Sequence, residues 1–360
     1  MSSFTDDVAE RRAARAAALP LIPTTVIGSF PQPPWLVDHD RLVAKGVPRT
    51  RADDVWRIPP DELDEALDAA TLLAIHDQLS AGIDIVTDGE IRRESYFNHF
   101  ANALDGVARD RIGAGVNRIG GRSDVPLVEG PIRRGAPVEL GPATFLRGTT
   151  DRLTKVTVPG PFTLSQLAQN EHYPDQRTLA LAYAAAINEE LADLVEAGID
   201  VVQLDEPYLQ ANADAARQFA VEAIDRALDG ISATTVLHTC YGYAVYVADK
   251  SGGYPFLAEL ADCAADQIAV EFAQPRLDPA VLSPLAGKSI VVGVLDLSTN
   301  DVEPPGLIVD RLHAVLDVVP PDRLVAAPDC GMKFLSRRVA VGKLQAMVEA
   351  AATVRAELAG

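Results

Sequence analysis

Residues 197–207 read Ala-Gly-Ile-Asp-Val-Val-Gln-Leu-Asp-Glu-Pro and contain the unit that decides the fold. Gly198 follows an Ala/Leu/Glu-rich stretch, and a glycine just past a helix is a common stop signal. The hydrophobic run Val201–Leu204 then predicts a short buried strand, which two carboxylates follow at once. The same start, Ala-Gly-Ile-Asp, recurs at 81–84 before a second such run. The repeat indicates helices that alternate with buried parallel strands.

Short hydrophobic runs of this kind occur eight times along the chain. We predict strands at Thr25–Gly28, Asp84–Thr87, Lys155–Val158, Val201–Leu204, Thr234–His238, Gln267–Glu271, Ser289–Val294 and Leu324–Asp329. Helical periodicity is clearest at Pro60–Ser80, Gln176–Ala197 and Leu335–Leu358. Eight buried strands that alternate with helices predict an α/β fold, a (β/α)8 TIM barrel. An open doubly wound sheet fits less well, because no Gly-rich phosphate-binding motif follows the first strand.

The spacing of these runs predicts two additions to a barrel that otherwise occupies the chain as one domain, residues 1–360. Residues 1–20 are expected to form an extra N-terminal helix. The second and third strands lie much farther apart than one crossover helix requires. We therefore place an insertion, consistent with a β-hairpin, at residues 106–153.

Composition limits the class of protein. Hydrophobic residues make up 48% and charged residues 23% of the 360, which is typical of a globular chain. No apolar run reaches the roughly 18–20 residues that a membrane span needs, and the charged first twenty residues do not resemble a signal peptide. We therefore expect a cytoplasmic protein without a membrane partner. The net charge of −19 would repel a phosphate backbone, so we expect no nucleic-acid partner.

The residues just after the predicted strands are rich in reactive side chains. Catalytic residues of TIM barrels come from the C-terminal ends of the strands. Here those positions hold Ser29, Asp88-Gly89-Glu90, Asp205-Glu206, His238-Thr239-Cys240, Glu271, Asp296 and Asp329-Cys330. Barrel architecture alone does not require carboxylates, a histidine and two of the three cysteines at this end. The pattern predicts an active site.

The most specific of these patterns is a possible metal site. In His238-Thr239-Cys240 the first and third residues share a direction, since side chains alternate along a strand. Glu271 and Cys330, at the ends of other strands, could complete a set of four ligands. Two thiolates, an imidazole and a carboxylate suit zinc. The alternative is two buried cysteines and one core histidine without a metal.

The remaining candidates are weaker. Glu90 and Asp205 could together hold an ammonium group or carry out acid–base chemistry. The alternative role is helix capping, for which Asp88 and Glu206 are the better candidates. Cys263 lies in an Ala/Leu segment and is expected to be a buried helical residue.

Six short motifs carry a resemblance to a known family. They are Val26-Ile27-Gly28-Ser29-Phe30-Pro31-Gln32, Asp88-Gly89-Glu90, Gly160-Pro161-Phe162-Thr163, Leu204-Asp205-Glu206-Pro207, His238-Thr239-Cys240 and Pro328-Asp329-Cys330-Gly331-Met332-Lys333. In this order, over residues 20–355, the chain resembles the catalytic C-terminal half of cobalamin-independent methionine synthase. The resemblance implies a zinc-dependent methyltransferase that makes methionine from homocysteine.

The resemblance also implies roles for individual residues. The zinc ligands would be His238, Cys240, Glu271 and Cys330. The amino-acid end of homocysteine would be held by Ile27, Gly28 and Ser29, and its ammonium group by Glu90 and Asp205. Zinc would keep the acceptor thiol as a nucleophilic thiolate at neutral pH. The methyl donor would be methyltetrahydrofolate or a methylated corrinoid protein.

The chain departs from the family on the donor side. Leu167 stands where long family members carry a tryptophan near the pterin, and Ala211 where they carry a second acid. Ser298 stands at the position of their proton-donating histidine, and Glu129-Gly130-Pro131 replaces an arginine-bearing motif. The motifs on the zinc and thiol side are intact. The sequence therefore supports thiol activation more strongly than use of a folate.

Two other functions stay open at this stage. Short relatives include epoxyalkane:coenzyme M transferase, whose thiol substrate carries a sulfonate instead of an ammonium group. Such a substrate would need a cationic clamp, for which the nearby candidates are Arg92, Arg93, Arg133 and Arg134. The second alternative is a non-catalytic barrel with a structural zinc, or a binding partner of a methyl-carrier protein.

Overall fold

A computed structural model describes residues 2–46, 49–116, 121–250 and 253–360. The strands of these residues are β1 (Ile85–Val86), β2 (Asp105–Val107), β3 (Gly113–Val116), β4 (Arg122–Val125), β5 (Leu127–Arg133), β6 (Leu153–Pro159), β7 (Gln169–Asn170), β8 (Val201–Asp205), β9 (Thr234–Thr239), β10 (Gln267–Val270), β11 (Ser289–Leu295) and β12 (Leu324–Pro328). The α-helices are α1 (Ser2–Ala17), α2 (His39–Ala44), α3 (Leu63–Ala81), α4 (Tyr96–Ala103), α5 (Leu140–Thr149), α6 (Pro161–Gln166), α7 (Gln176–Glu196), α8 (Tyr208–Ala211), α9 (Ala213–Leu228), α10 (Pro305–Leu316) and α11 (Arg337–Ala359). Short 3-10 helices lie at Asp53–Val55, Ala258–Asp262, Pro279–Leu285 and Pro321–Arg323.

Seven parallel strands form the main sheet, in the order β1-β6-β8-β9-β10-β11-β12. Each belongs to a strand predicted from the sequence, and helices alternate with them along the chain. The segment at Thr24 and Thr25 joins the two edges of this sheet, because Thr24 bridges Ala326 of β12 and Thr25 bridges Ile85 of β1, both in parallel. The predicted α/β fold is confirmed, and the sheet closes on itself through these bridges.

The first predicted strand, Thr25–Gly28, is wrong in its extent, because only the bridges at Thr24 and Thr25 are present. Neighbouring side chains take the backbone groups that a longer ladder would use. The carboxylate of Asp84 accepts from the Thr24 backbone N–H at 2.8 Å. The Thr87 hydroxyl donates to the Gly28 carbonyl at 2.9 Å. The segment is thus held both by these side chains and by backbone hydrogen bonds at its two bridges, such as Thr25 N–H to the Ala326 carbonyl at 2.9 Å.

The predicted insertion at 106–153 contains the expected hairpin, but its predicted end at residue 153 lies too far along the chain. Strands β3 and β4 pair antiparallel, with Val116 opposite Arg122, and residues 117–120 between them lie outside the described residues. Strand β2 pairs with β5, which pairs in turn with β7. Helix α5, however, packs between α3 and α7 in the outer layer. It is the ordinary crossover helix, so the added structure ends near β5.

Two hydrophobic cores hold the layers together. The larger lies between the sheet and the helices. The smaller contains one or two residues from each strand of the main sheet, among them Val201, Val236 and Val291, and it fills the space inside the sheet. The predicted N-terminal helix is present as α1, and Arg15 near its end donates to Asp200 at 3.0 Å. The extent of the chain as one domain stays a prediction.

A search of the described helices finds none that is long and apolar enough to cross a membrane.

Candidate active site

Three of the four predicted metal ligands meet at the carboxyl end of the sheet. His238 is in β9, Cys240 follows that strand directly, and Cys330 lies two residues past the end of β12. One ligand atom from each of the three lies within 4.8 Å of the other two. All three side chains are buried. In the strand order, β10 and β11 lie between β9, which carries His238, and β12, which precedes Cys330. The two residues therefore meet because the sheet curls and closes.

The imidazole of His238 has the properties of a metal ligand. Both ring nitrogens are buried, and neither has a hydrogen-bond partner among the described residues. Burial disfavours the imidazolium, but the negative groups around it, first of all Cys240, outweigh burial and raise the pKa of His238 to about 9. A hydrogen bond with Cys240, together with burial, raises the pKa of the Cys330 thiol well above its usual value. A buried imidazole nitrogen and two thiols fit zinc by number and by softness.

Glu271, the fourth predicted ligand, does not belong to this group of three. It is fully buried just past β10 and forms an ion pair with the ammonium group of Lys250. Its Oε1 accepts from the backbone N–H of Tyr241 at 3.0 Å. The carboxylate is near enough for its charge to raise the pKa of Cys330. Direct binding of a metal by Glu271 therefore stays a prediction, and it would require the carboxylate to leave Lys250.

One cavity, of about 280 Å³, connects the thiol group with the predicted ammonium site. His238, Cys240 and Cys330 line it on one side, and Glu90 and Asp205 also line it. Other residues of its lining are Ile27, Ser29, Tyr96, Phe97, Leu167, Tyr208, Tyr243, Tyr246 and Gly331. A single ligand can therefore contact the group of three and both carboxylates.

The predicted segment Ile27–Ser29 reaches the cavity with two of its three residues. Ile27 and Ser29 line it, and the Ser29 hydroxyl lies 3.2 Å from the hydroxyl of Tyr243. Gly28 is not part of the lining. Its position instead leaves room for Glu90, because a Cβ atom at Gly28 would come within 2.1 Å of Glu90 Oε1. The side chains that face the cavity here are those of Ile27 and Ser29, and binding by this segment stays a prediction.

The two carboxylates of the predicted ammonium site are buried and interact. Burial raises the pKa of Glu90 to about 7, while Arg93 and Asp205 act on it in opposite directions. Burial also raises the pKa of Asp205. Gln203 donates to Asp205 at 2.7 Å, and Thr157 donates to Glu90 at 2.8 Å. A cation bound between these two buried acids would offset the burial that raises their pKa values and would favour their carboxylate forms.

Glu206 and Asp88, the two acids considered for helix capping, both accept hydrogen bonds from backbone N–H groups. Glu206 accepts from the backbone N–H groups of Phe162 and Thr163, so it caps the start of α6 as expected. Asp88 accepts from the backbone of Glu90 at 3.0 Å and so shapes the turn that carries that residue. Glu90 and Asp205 are left to face the cavity.

The residues that differ from the family on the donor side are spread over several places. Leu167 lines the cavity, whereas Ala211 is exposed and does not. Glu129 lies in β5 and forms an ion pair with Arg111 at 2.5 Å, away from the cavity. Of these three, only Leu167 can contact a ligand in the cavity.

Ser298, at the family's proton-donor position, lies in a second cavity of about 210 Å³. Tyr243 and Gly331 form part of the lining of both cavities. The Ser298 hydroxyl donates to Asp296 at 2.6 Å. A hydroxyl engaged in this way is a poor substitute for a histidine that donates a proton, so the structure offers no support for acid catalysis by Ser298.

The hairpin of β3 and β4 and the segment just after α2 both contribute to the cavity lining. Arg122 and Ser123 of β4 line it, as do Lys45 and Gly46 after α2. Lys45 pairs with Asp54 at 3.0 Å. Sequence reasoning left the purpose of the insertion undecided, and the structure places it at the entrance of the site.

Four other histidines and the third cysteine lie outside the cavity lining. His76 and His313 are in helices. His99 and His172 do not line the cavity either. Cys263 is buried at the end of a 3-10 helix.

Sequence reasoning missed several residues around the site and considered Arg93 only for a different role, that of a sulfonate clamp. Tyr243 and Tyr246 line the cavity, and Arg93, Thr157 and Lys250 support its acids. Three tyrosines within six residues directly after Cys240, in a chain with 6% aromatic residues, were a readable signal. Arg93, Thr157 and Lys250 act through contacts between segments that are distant in the sequence, and no local pattern indicated these contacts.

Comparisons with known proteins identify the family of the chain. The model of the family described as "Cobalamin-independent synthase, Catalytic domain" matches residues 22–353. The chain is 34% identical over 346 residues to a methionine synthase of Saccharolobus solfataricus, covering 94% of this chain and 97% of the relative. A methionine synthase of Sulfurisphaera tokodaii is 33% identical over 344 residues, with 94% of each chain covered.

Solved structures give the same picture. A B12-independent methionine synthase from Shewanella sp. W3-18-1, in complex with selenomethionine, superposes with a TM-score of 0.85 at 32% identity, covering 94% of this chain and 99% of that one. A putative vitamin-B12 independent methionine synthase from Listeria monocytogenes has a TM-score of 0.72 at 20% identity, covering 93% and 98%. The latter shows a shared fold only.

Proposed function

The chain belongs to the cobalamin-independent synthase catalytic-domain family, and from this premise we propose that it transfers a methyl group to the thiol of homocysteine, giving methionine. We further propose that the transfer depends on zinc. The relatives that cover nearly the whole chain are methionine synthases, which supports methyl transfer as the reaction.

The observation that carries the proposal is the composition of one cavity. It is lined both by a soft metal-binding group, His238, Cys240 and Cys330, and by a pair of buried carboxylates, Glu90 and Asp205. Homocysteine carries a thiol at one end and an ammonium group at the other. A ligand with these two ends matches the two ends of the cavity.

In the proposed complex each group has a defined task. His238, Cys240 and Cys330 would hold the zinc ion, with Glu271 as the predicted fourth ligand. The bound ion supplies stabilisation of the acceptor thiol as a thiolate at neutral pH. Glu90 and Asp205 would bind the substrate ammonium group and so fix where the sulfur lies.

The buried position of the acids strengthens this binding, since charges attract more strongly where water is excluded. Glu90 is 3% exposed and Asp205 8%. Tyr96 and Tyr208 line the same cavity and are themselves buried, so they exclude water around the ammonium group. The chain thereby orients the acceptor before a donor arrives.

The donor in this proposal is methyltetrahydrofolate or a methylated corrinoid protein. Leu167 in the cavity and the engaged hydroxyl of Ser298 leave this chain without the tryptophan and the acid associated with folate use. Demethylation of a corrinoid requires no proton on a pterin nitrogen, which favours the corrinoid. Turnover assays with each donor in turn will distinguish them.

The structure favours homocysteine over coenzyme M as the thiol. None of the four arginines considered for a sulfonate clamp, Arg92, Arg93, Arg133 and Arg134, lines the cavity. Arg93 pairs with Glu139 at 3.0 Å, and Arg134 pairs with Glu190 at 2.5 Å. The cations that do line it, Lys45 and Arg122, are exposed side chains of the loop and the hairpin.

The test is calorimetric titration of L-homocysteine and of coenzyme M into the zinc-loaded protein, in two buffers with different ionisation enthalpies. We expect homocysteine to bind with release of about one proton per site, as a thiol does when a metal holds it as a thiolate. Preference for coenzyme M would overturn the assignment. Absence of zinc from protein purified without chelators would overturn the metal dependence.

A further inference from the structure

The hydroxyl group of Thr157 lies between a buried arginine and the ammonium-site acid Glu90. It donates to Glu90 Oε1 at 2.8 Å and accepts from Arg93 Nη1 at 3.1 Å. The guanidinium has no acceptor atom, so Arg93 can only donate. The Thr157 hydroxyl accepts a hydrogen bond from Arg93, and its own single proton forms the hydrogen bond to Glu90. With Glu90 as a carboxylate, the hydrogen bonds therefore run from Arg93 to Thr157 and from Thr157 to Glu90.

Arg93 is itself held from several sides. Its side chain is 1% exposed, and Nη2 donates to the backbone carbonyl of Thr157 at 2.8 Å. Its Nε lies 3.0 Å from Oε1 of Glu139, which is also buried. The guanidinium stands over the ring of Tyr96, 5.5 Å from the centroid. It cannot turn away from Thr157 without breaking these contacts.

Glu90 is confined by the same surroundings. Oε1 is packed between the Thr157 hydroxyl and the backbone of Gly28, where even a Cβ atom would come within 2.1 Å of it. Of the two carboxylate oxygens of Glu90, Oε1 has its partner from the protein. Glu90 also lines the cavity, and we take Oε2, for which no hydrogen bond is seen among the described residues, as the oxygen that meets a ligand.

We propose that Arg93 and Thr157 are positioning residues that give the site its preference for a thiol carrying an ammonium group. They hold Glu90 as an acceptor, with Oε1 satisfied by Thr157 and Oε2 available to the substrate cation. This inference rests on the proposed function, since it takes homocysteine as the ligand. Neither residue touches the substrate, and both act through Glu90.

The experiment compares two ligands that differ only in the ammonium group. L-homocysteine and 4-sulfanylbutanoic acid carry the same thiol and the same carboxylate, and the second has hydrogen in place of the amino group. Binding of each to the zinc-loaded protein is measured by calorimetry for the wild type and for Thr157→Val. We expect the ratio of the two affinities to fall by about tenfold or more in the variant, as when a hydrogen bond to a charged group is lost.

Two further variants separate positioning from general damage. Thr157→Ser retains the hydroxyl and should restore most of the ratio. Thr235→Val is the matched control, because Thr235 is a buried strand threonine whose hydroxyl bonds Asp266 at 2.8 Å and lies away from the cavity lining. It should lower stability without changing the ratio. An equal loss for both ligands in Thr157→Val would overturn the proposal.

A second route covers the case in which Thr157→Val does not fold. The double variant Arg93→Met/Glu139→Gln removes a buried cation and the buried anion paired with it, so Glu139 is not left as an anion without its cation. It should also lower the ratio, and an unchanged ratio would overturn the proposal. If the wild type fails to bind homocysteine at all, the proposed function fails. If it binds and Thr157→Val keeps the wild-type ratio, only this inference fails.

Discussion

The backbone of Gly28 lies against the side chain of Glu90 so closely that a Cβ atom there would be 2.1 Å from Oε1 and 3.2 Å from the carboxyl carbon. Such distances are far below van der Waals contact. The same atom would come 2.9 Å from the Thr157 methyl group. Glycine at this position is therefore a condition for the position of Glu90.

Gly28→Ala should consequently displace Glu90 and weaken substrate binding. We expect the affinity for L-homocysteine to fall by about tenfold or more, because an ion-paired hydrogen bond is lost or lengthened. Zinc content should stay at one per chain, since the ligands lie on other strands. Calorimetry and metal analysis measure the two quantities.

The control for this change is Gly148→Ala in helix α5, where an added Cβ would meet no atom within 4 Å. Alanine favours a helix over glycine by up to about 1 kcal/mol, so stability should rise and binding should not change. Unaltered homocysteine affinity in Gly28→Ala would contradict the role that we assign to this contact.

Cys330→Ser should remove the metal and leave the fold intact. The two cysteines and His238 lie within 4.8 Å of one another, and loss of one thiol leaves too few soft ligands for zinc. We expect zinc to fall from about one per chain to nearly none, alkylation of homocysteine to stop, and the far-ultraviolet circular dichroism spectrum to stay unchanged.

Cys263→Ser is the control for this experiment, because Cys263 is also buried but is not part of the cavity lining. It should keep its zinc and its activity and lose some stability to the buried hydroxyl. Global unfolding of Cys330→Ser would instead favour a structural zinc and count against a catalytic one.

The ion pair between Glu271 and Lys250 predicts opposite effects on zinc affinity. Glu271→Gln should weaken zinc binding by about tenfold or more if the carboxylate is the fourth ligand. Lys250→Met should strengthen it, because the carboxylate no longer has to leave a buried ammonium group. Competition with a coloured chelator measures both affinities on folded protein. A loss of zinc affinity in both variants would mean that Glu271 and Lys250 support the site together from outside it.

Lys155 predicts how stability depends on pH. Burial lowers the pKa of this lysine to about 7, against the fields of Asp205 and Glu90. Its Nζ has no hydrogen-bond partner among the described residues. Between pH 7 and 10.5 the unfolded chain therefore binds more protons at this site than the folded protein, and the contribution of Lys155 to stability improves as pH rises.

Lys155→Met should accordingly raise the free energy of unfolding by roughly 1–4 kcal/mol at pH 7, and the gain should shrink toward pH 10. Denaturant titrations of wild type and variant at the two pH values give the difference. Lys343→Met is the matched control, since Lys343 is equally buried but pairs with Glu303 at 2.6 Å, and it should lose stability at both pH values. The prediction is wrong if Lys155→Met is destabilised at pH 7 in the same way.

Local sequence was enough to predict most of the scaffold. The hydrophobic run at Val201–Leu204 and the glycine before it reflect backbone preferences and burial, which act over a few residues. His238 and Cys240 could be assigned to one face for the same reason, because alternation along a strand is local. That carboxylates after parallel strands meet at one edge also follows from the fold class alone.

Only the tertiary structure decided what those side chains bind. Glu271 was predicted to be a ligand from its place at a strand end, which stays a prediction, and only the structure shows that Lys250 and the backbone N–H of Tyr241 contact its carboxylate. The first predicted strand is reduced to bridges at Thr24 and Thr25, and the carboxylate of Asp84, sixty residues away in the sequence, accepts from the N–H group of Thr24. Burial strongly favours polar groups that have a partner, and which partner is nearest depends on segments that no local pattern relates. The sequence thus determined which strand ends carry the reactive side chains. The packing of distant segments decided which of those side chains are left to contact a ligand.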